Sequence, residues 1–371
     1  MSDKGDIHID MDKNTMICKF LFMLYNLSFL NPNVKNLIFR ASSRQNVTIN
    51  MNDLTLPDSL EIFICSKNNI AVLPYKLPPQ LKFLMCSENN ITRLPDVLPE
   101  SLLGLKCINN KITTEGFPKL PSHLQNLYCD NNRLERLPDV LPASLLHLSC
   151  SHNLLTDLPL WSKGHDALLK LVCNNNMITQ LPPILPASLQ HLECENNKLT
   201  TLPAGLPKGM IKLNCANNHL TSLPKWLPGG LNVLNCSNND IYELPELPLK
   251  LSKLNCANNP LYILPELPDS LMELNYKQCK MLIQYYMPVL LKYNVSLETQ
   301  SDIKKMVTAL NIMNEKHAMV RCITRMKIIN EENALLQAYW RRMLHPSRLQ
   351  PLLDDENMEV DEFMQSHVKW L

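Results

Sequence analysis

The sequence predicts a solenoid, in which short turns of chain stack so that one strand from each turn joins a single parallel sheet. Three observations carry that prediction. Cysteine recurs at Cys65, Cys86, Cys107, Cys129, Cys150, Cys173, Cys194, Cys215, Cys236 and Cys256, at intervals of 20 to 23 residues, and a fixed period of that size marks stacked repeats. Asparagine follows three residues after each, at Asn68, Asn89, Asn110, Asn132, Asn153, Asn176, Asn197, Asn218, Asn239 and Asn259. An apolar residue, nearly always leucine, stands two and five residues before each cysteine, as Leu84 and Leu81 do before Cys86 and Leu192 and Leu189 before Cys194.

Each unit reads L-x-x-L-x-C-x-x-N-x-L-T-x-L-P-x-x-L-P-x-S. In the x-L-x-C-x stretch side chains alternate, so Leu and Cys point inward and their neighbours outward. Cysteine is small and readily buried, which suits a narrow core. Asparagine sits where the chain leaves the strand. Its amide carries donors and acceptors for turn backbone that no neighbouring strand can reach. The L-P-x-x-L-P arm favours an extended or polyproline conformation on the convex side. An eleventh unit begins at Leu271 and Leu274 but puts Tyr276 in the Cys column and Cys279 in the Asn column, a decayed end such as a solenoid needs.

The composition agrees with this reading. Of 371 residues, 68 are Leu, 40 Asn, 27 Pro and 8 Gly, because a few residue types each fill one column about ten times. Collagen is excluded by the scarce glycine, and disorder by the 45% hydrophobic content. A net charge of +1 gives no electrostatic case for nucleic acid or an anionic membrane. No apolar run reaches the roughly 18–20 residues of a membrane-spanning helix.

The cysteine ladder is expected to be structural. A metal site needs ligands converging at short spacing such as C-x-x-C, and no such pair occurs. Adjacent thiols on parallel strands point the same way, a poor approach for a disulfide. So many free thiols suit a reducing, intracellular compartment. No cofactor is implied.

The period, the L-x-x-L-x-C-x-x-N-x-L core and the L-P-x-x-L-P ending resemble the leucine-rich repeat, over about residues 37 to 280. The ending is similar to the short repeats of bacterial effectors of the YopM and IpaH families, and the Cys variant to leucine-rich repeat proteins of giant DNA viruses. The resemblance implies an intracellular protein-interaction module, in a host cell. It names no partner.

Outward strand positions would line the concave face. The first units place there Ile62 and Ile64, Phe83 and Met85, Lys106 and Ile108, then Tyr128 and Asp130. Later units place His147 and Ser149, Lys170 and Val172, His191 and Glu193, Lys212 and Asn214, Val233 and Asn235, Lys253 and Asn255. The face is thus apolar at its start and polar afterwards. Ile62, Ile64, Phe83, Met85, Ile108 and Tyr128 are the candidate partner-binding residues, unless the apolar N-terminal segment folds back over them. A second asparagine column at Asn109, Asn131, Asn175, Asn196, Asn217, Asn238 and Asn258 reads as solvated turn polarity or as a hydrogen-bonding strip. Trp161, in the longest unit, reads as an exposed anchor or as filler for the insertion.

The ends differ. Residues 1–36 are expected to form a helical or capping segment. Ile17 to Leu30 is apolar, but Lys19 and Asn26 interrupt it and acidic residues precede it, a poor signal peptide. Some eleven repeats follow over 37–280, ten of them regular from Leu60 to Ser270. Residues 281–371 lose the period. Ile303, Met306, Val307, Leu310 and Met313 take helical spacing, so a helical cap or small domain is expected. Within it Leu336, Gln337 and Arg341 partly match a calmodulin-binding IQ motif, with Arg342 in place of its glycine and Pro346 in place of its last arginine.

The function expected is non-catalytic binding of a protein on the concave face. The alternatives are an adaptor or ubiquitin-ligase-like activity in the helical tail, or a structural virion component. A ligase relative would need a C-x-D motif, whereas Cys322 lies in Arg-Cys-Ile-Thr.

Overall fold

A computed structural model describes residues 7–10, 15–18, 34–39, 48–161, 166–261 and 264–279. Their strands are β1 (Ile7–Asp10), β2 (Thr15–Cys18), β3 (Asn36–Phe39), β4 (Ile49–Asn50), β5 (Ile62–Ile64) and β6 (Ile70–Val72). One strand per repeat follows: β7 (Phe83–Met85), β8 (Gly104–Lys106), β9 (Asn126–Tyr128), β10 (His147–Ser149), β11 (Lys170–Val172), β12 (His191–Glu193), β13 (Lys212–Asn214), β14 (Val233–Asn235), β15 (Lys253–Asn255) and β16 (Glu273–Asn275).

Fourteen strands form one sheet in the order β1-β2-β3-β5-β7 and then consecutively to β16. Among the described residues only β1 and β2 pair antiparallel. β4 and β6 form a separate parallel pair. The register follows the cysteine period: Leu84 pairs Leu105, Leu105 pairs Leu127, and so on to Leu254 and Leu274. The units of 22 and 23 residues keep it, since Leu105 pairs Leu127 and Leu148 pairs Leu171.

At Ile7–Asp10 and Thr15–Cys18 the expectation of a helix needs correcting. Both are strands, and β2 lies parallel to β3 at the start of the sheet. The edge of β3 offers a row of backbone donors and acceptors, which the local sequence does not reveal. No helix occurs among the described residues. The expected C-terminal helices, the Leu336–Arg342 segment and Cys322 lie outside the described residues, as does most of Ile17 to Leu30.

The core is a set of columns. Phe63, Leu84, Leu105 and Leu127, each central in its strand, are fully buried, as are Cys65 through Cys256. Each cysteine's backbone N–H donates to a carbonyl one unit on, and in several units the thiol donates to the same oxygen. Cys129 does so to Ser149 O, at 2.8 Å from N and 3.4 Å from Sγ. A thiol column thus adds a weak donor where leucine would add only bulk.

The asparagine column ties unit to unit. Asn153 Nδ2 donates to Cys129 O at 3.0 Å and Cys150 O at 3.1 Å, while its Oδ1 accepts from Leu134 N at 3.1 Å. The same pattern holds at Asn110, Asn132, Asn176 and Asn197. At the decayed end Cys279 keeps half of it, its Sγ donating to Cys256 O at 3.2 Å. The arm is extended as expected but closes in a turn. The second proline of each L-P-x-x-L-P accepts from the N–H three residues on, as Pro99 O does from Leu102 N at 3.0 Å.

Candidate interaction face

The strands present three outward columns. The first holds the first residue of each strand, the second the third residue, and the third the residue after each cysteine. Ile62, Phe83 and Gly104 are register neighbours in the first column, and Ile64, Met85, Lys106 and Tyr128 in the second. Ile108 belongs to the third.

The structure corrects the register of two units. The equivalents of Ile62 and Ile64 are Gly104 and Lys106 in β8, and Asn126 and Tyr128 in β9. Ile108 and Asp130 stand one column further on. All six candidates are half-buried, because neighbouring strands bring their side chains against one another.

Gly104 makes the face uneven. A β-carbon at Gly104 would come 2.8 Å from Phe83 Cδ1 and 3.1 Å from Cε1, so the Phe83 ring occupies the room that a side chain at 104 would take. Sequence reasoning also missed Ile38, the register partner of Ile64 in β3 and half-buried like it. The signal was the Leu37-Ile38-Phe39 alternation, with Phe39 in the cysteine column. The N-terminal strands extend the sheet sideways from β3, so residues 7–10 and 15–18 do not fold back across this face.

From β9 onward many outward polar groups bond to one another. Asp130 Oδ1 accepts from Ser149 Oγ at 2.6 Å and Ser151 N at 2.8 Å. His147 Nδ1 lies 2.7 Å from Asn126 Oδ1. Glu193 pairs with Lys212 at 2.9 Å, and Glu195 accepts from Asn214 at 2.7 Å. Asn235 and Asn255 each accept the N–H two residues on, at 3.3 Å. Partial burial, with the Lys170 and Lys212 cations beside it, holds His191 below the usual imidazole value. At the other end Glu61 lies between Lys82 at 2.6 Å and Lys35 at 2.9 Å, whose hydrogen bonds lower its carboxyl pKa.

The second asparagine column has a backbone cause. Asn109, Asn131, Asn175, Asn196, Asn217, Asn238 and Asn258 all adopt φ between 52° and 55°. Asparagine tolerates that left-handed region better than most non-glycine residues, so turn conformation alone explains the column. Trp161 is half-buried and packs on the core, as gap filling requires. The most exposed apolar side chains lie on the arm instead, including Val97, Val140, Ile184 and Trp226. Proline-flanked positions of this kind give no inward-or-outward pattern to read.

The ladder thiols are held in their protonated form, except at the decayed end, where a hydrogen bond with Cys256 lowers the Cys279 thiol to about 7. Burial pushes the Cys86, Cys173 and Cys215 thiols up to about 12, and the described cysteines of the repeats are free and buried. Thiolate is the reactive form.

No family model and no curated protein matches the sequence. Solved structures do. YopM from Yersinia enterocolitica WA-314 is 30% identical over 68% of this chain and 62% of its own, with a TM-score of 0.53. YopM from Yersinia pestis, a leucine-rich effector protein, is 30% identical over 71% of this chain and 84% of its own, with a TM-score of 0.51. The functional domain of InlJ from Listeria monocytogenes, which includes a cysteine ladder, is 26% identical over 60% of this chain and 55% of its own, with a TM-score of 0.52. The chain therefore spans less than two thirds of the first YopM and of InlJ. Period, register, asparagine column and these similarities agree: the chain belongs to the leucine-rich repeat proteins.

Proposed function

We propose that the chain is a non-catalytic interaction module that binds another protein on its concave face, over Ile62, Ile64, Phe83, Met85, Ile108 and Tyr128. One contrast carries this reading. Outward side chains in β5 to β9 are largely apolar and serve no core, whereas from β9 on the outward positions are largely polar and many of their atoms bond to neighbours. An apolar strip held on a rigid sheet is what a partner's anchors need.

An intracellular setting is part of the proposal. Its support is the column of buried free thiols, which a reducing compartment preserves. The similarity of the Cys-column repeat to giant-virus proteins, and the Yersinia pestis relative's description as an effector, favour a host cell as that setting.

Affinity capture from such cells with the full chain, and with Phe83→Asp and Tyr128→Asp, tests it. Proteins retained by the native chain should be lost from both variants while their thermal unfolding stays cooperative. Capture that is unchanged in both would refute the assignment. A chain lacking residues 281–371 should still retain its partner, whereas loss there would move the function to the tail.

A further inference from the structure

Two lysines on the concave face have no acceptor. Among the described residues, Lys35, Lys82, Lys212 and Lys253 all make ion pairs, but Lys106 and Lys170 make none. Both are exposed. Lys106 lies in the second column, flanked in register by Met85 and Tyr128. Lys170 lies in the first, flanked by His147 and His191. Of the carboxylates nearby, Asp130 accepts from Ser149 and Ser151, Glu195 accepts from Asn214, and Glu193 makes its ion pair with Lys212 and feels the Lys170 charge only at longer range. Of the four lysines within β7 to β16, Lys212 and Lys253 are paired on the face itself, and Lys106 and Lys170 are not.

Anything that covers the apolar strip must run beside Lys106. Burying an ammonium without an acceptor is costly, so the occupant has to bring one. We infer that the partner presents an extended acidic segment: apolar side chains over Phe83, Met85 and Tyr128, one carboxylate for Lys106 and a second for Lys170. The spacing is set by the sheet. β8 and β11 are three strands apart, and the two lysines differ by two positions along the strand. Three strand spacings of about 4.8 Å and two residue rises of about 3.3 Å give a separation of about 16 Å. An extended chain covers that in about five residues, so the two carboxylates should stand four or five positions apart.

This rests on the concave face being the binding face, and the test separates the two claims. A random twelve-residue peptide library displayed on phage is selected on the immobilised full chain. Synthetic copies of the enriched peptides are then titrated against native, Phe83→Asp and Lys106→Glu/Lys170→Glu chains. The expected peptides carry apolar residues with two acidic residues four or five apart. They weaken at least tenfold on the double lysine variant, and exchanging their acids for lysine restores binding to it. Peptides lost with Phe83→Asp but indifferent to the lysines overturn the acidic partner and leave the concave reading standing. Peptides indifferent to all three substitutions overturn both, and so does failure to enrich any peptide on the native chain over a urea-unfolded one.

Discussion

The ring of Phe83 occupies the space above Gly104, where a β-carbon would fall 2.8 Å from its Cδ1. A side chain at 104 must therefore displace the largest apolar group of the face, while the strand itself is well suited to one. Replacing Gly104 by valine should leave the unfolding free energy measured in urea unchanged or raise it by up to about 1 kcal/mol, because glycine weakens a strand. Partner capture should fall with no loss of stability. Unchanged capture would show that the seat of the Phe83 ring is irrelevant to binding.

The cysteine ladder should make the fold sensitive to alkali. The Cys86, Cys173 and Cys215 thiols, with an ordinary pKa of 9.0, are held at about 12 by burial. Above pH 9 the unfolded chain releases protons that the folded chain retains, so stability is full below pH 9 and falls as pH rises toward 12. Urea unfolding at a series of pH values should show this decline, and Cys173→Ala should make it shallower. A stability flat between pH 9 and 11 would contradict the burial of the column.

Left-handed backbone at Asn196, with φ of 53°, leads to opposite outcomes for two small substitutions. Asn196→Gly should be nearly neutral, whereas Asn196→Ala should lower stability by about 1 kcal/mol. Calorimetry on the pair distinguishes this from a surface strip whose amides matter for themselves, since in that case both changes would behave alike.

Much of this could be read from the chain alone, for reasons that are local. A column such as Cys150 and Asn153 repeats at fixed spacing because each copy meets the same neighbours. The outward register of Ile62, Ile64, Phe83 and Met85 follows from alternation about a buried residue. The units at Lys106 and Tyr128 were misplaced by one column because Gly104 and Asn126 carry no apolar mark of an outward strand position. Ile38 was hidden by Phe39 standing where cysteine was expected. The strands at Ile7–Asp10 and Thr15–Cys18 depend on the edge of β3, which no window of their own sequence contains. The left-handed asparagines were visible as a column, but their cause is a backbone angle. The two unmatched lysines emerge only once Lys212 and Lys253 are seen paired with Glu193 and Glu273.

The constancy of pairing across units of unequal length has its own consequence. Two extra residues between Cys150 and Cys173 do not shift Leu148 against Leu171, so length changes in the arm are absorbed there and never reach the strands. Scaffold and message are separately editable in such a chain. Loops could be lengthened, tagged or exchanged on the proline side while the order of side chains facing a partner stays in phase. Conversely, a single residue gained or lost inside the short strand of any unit would throw the rows beyond it out of step with those before.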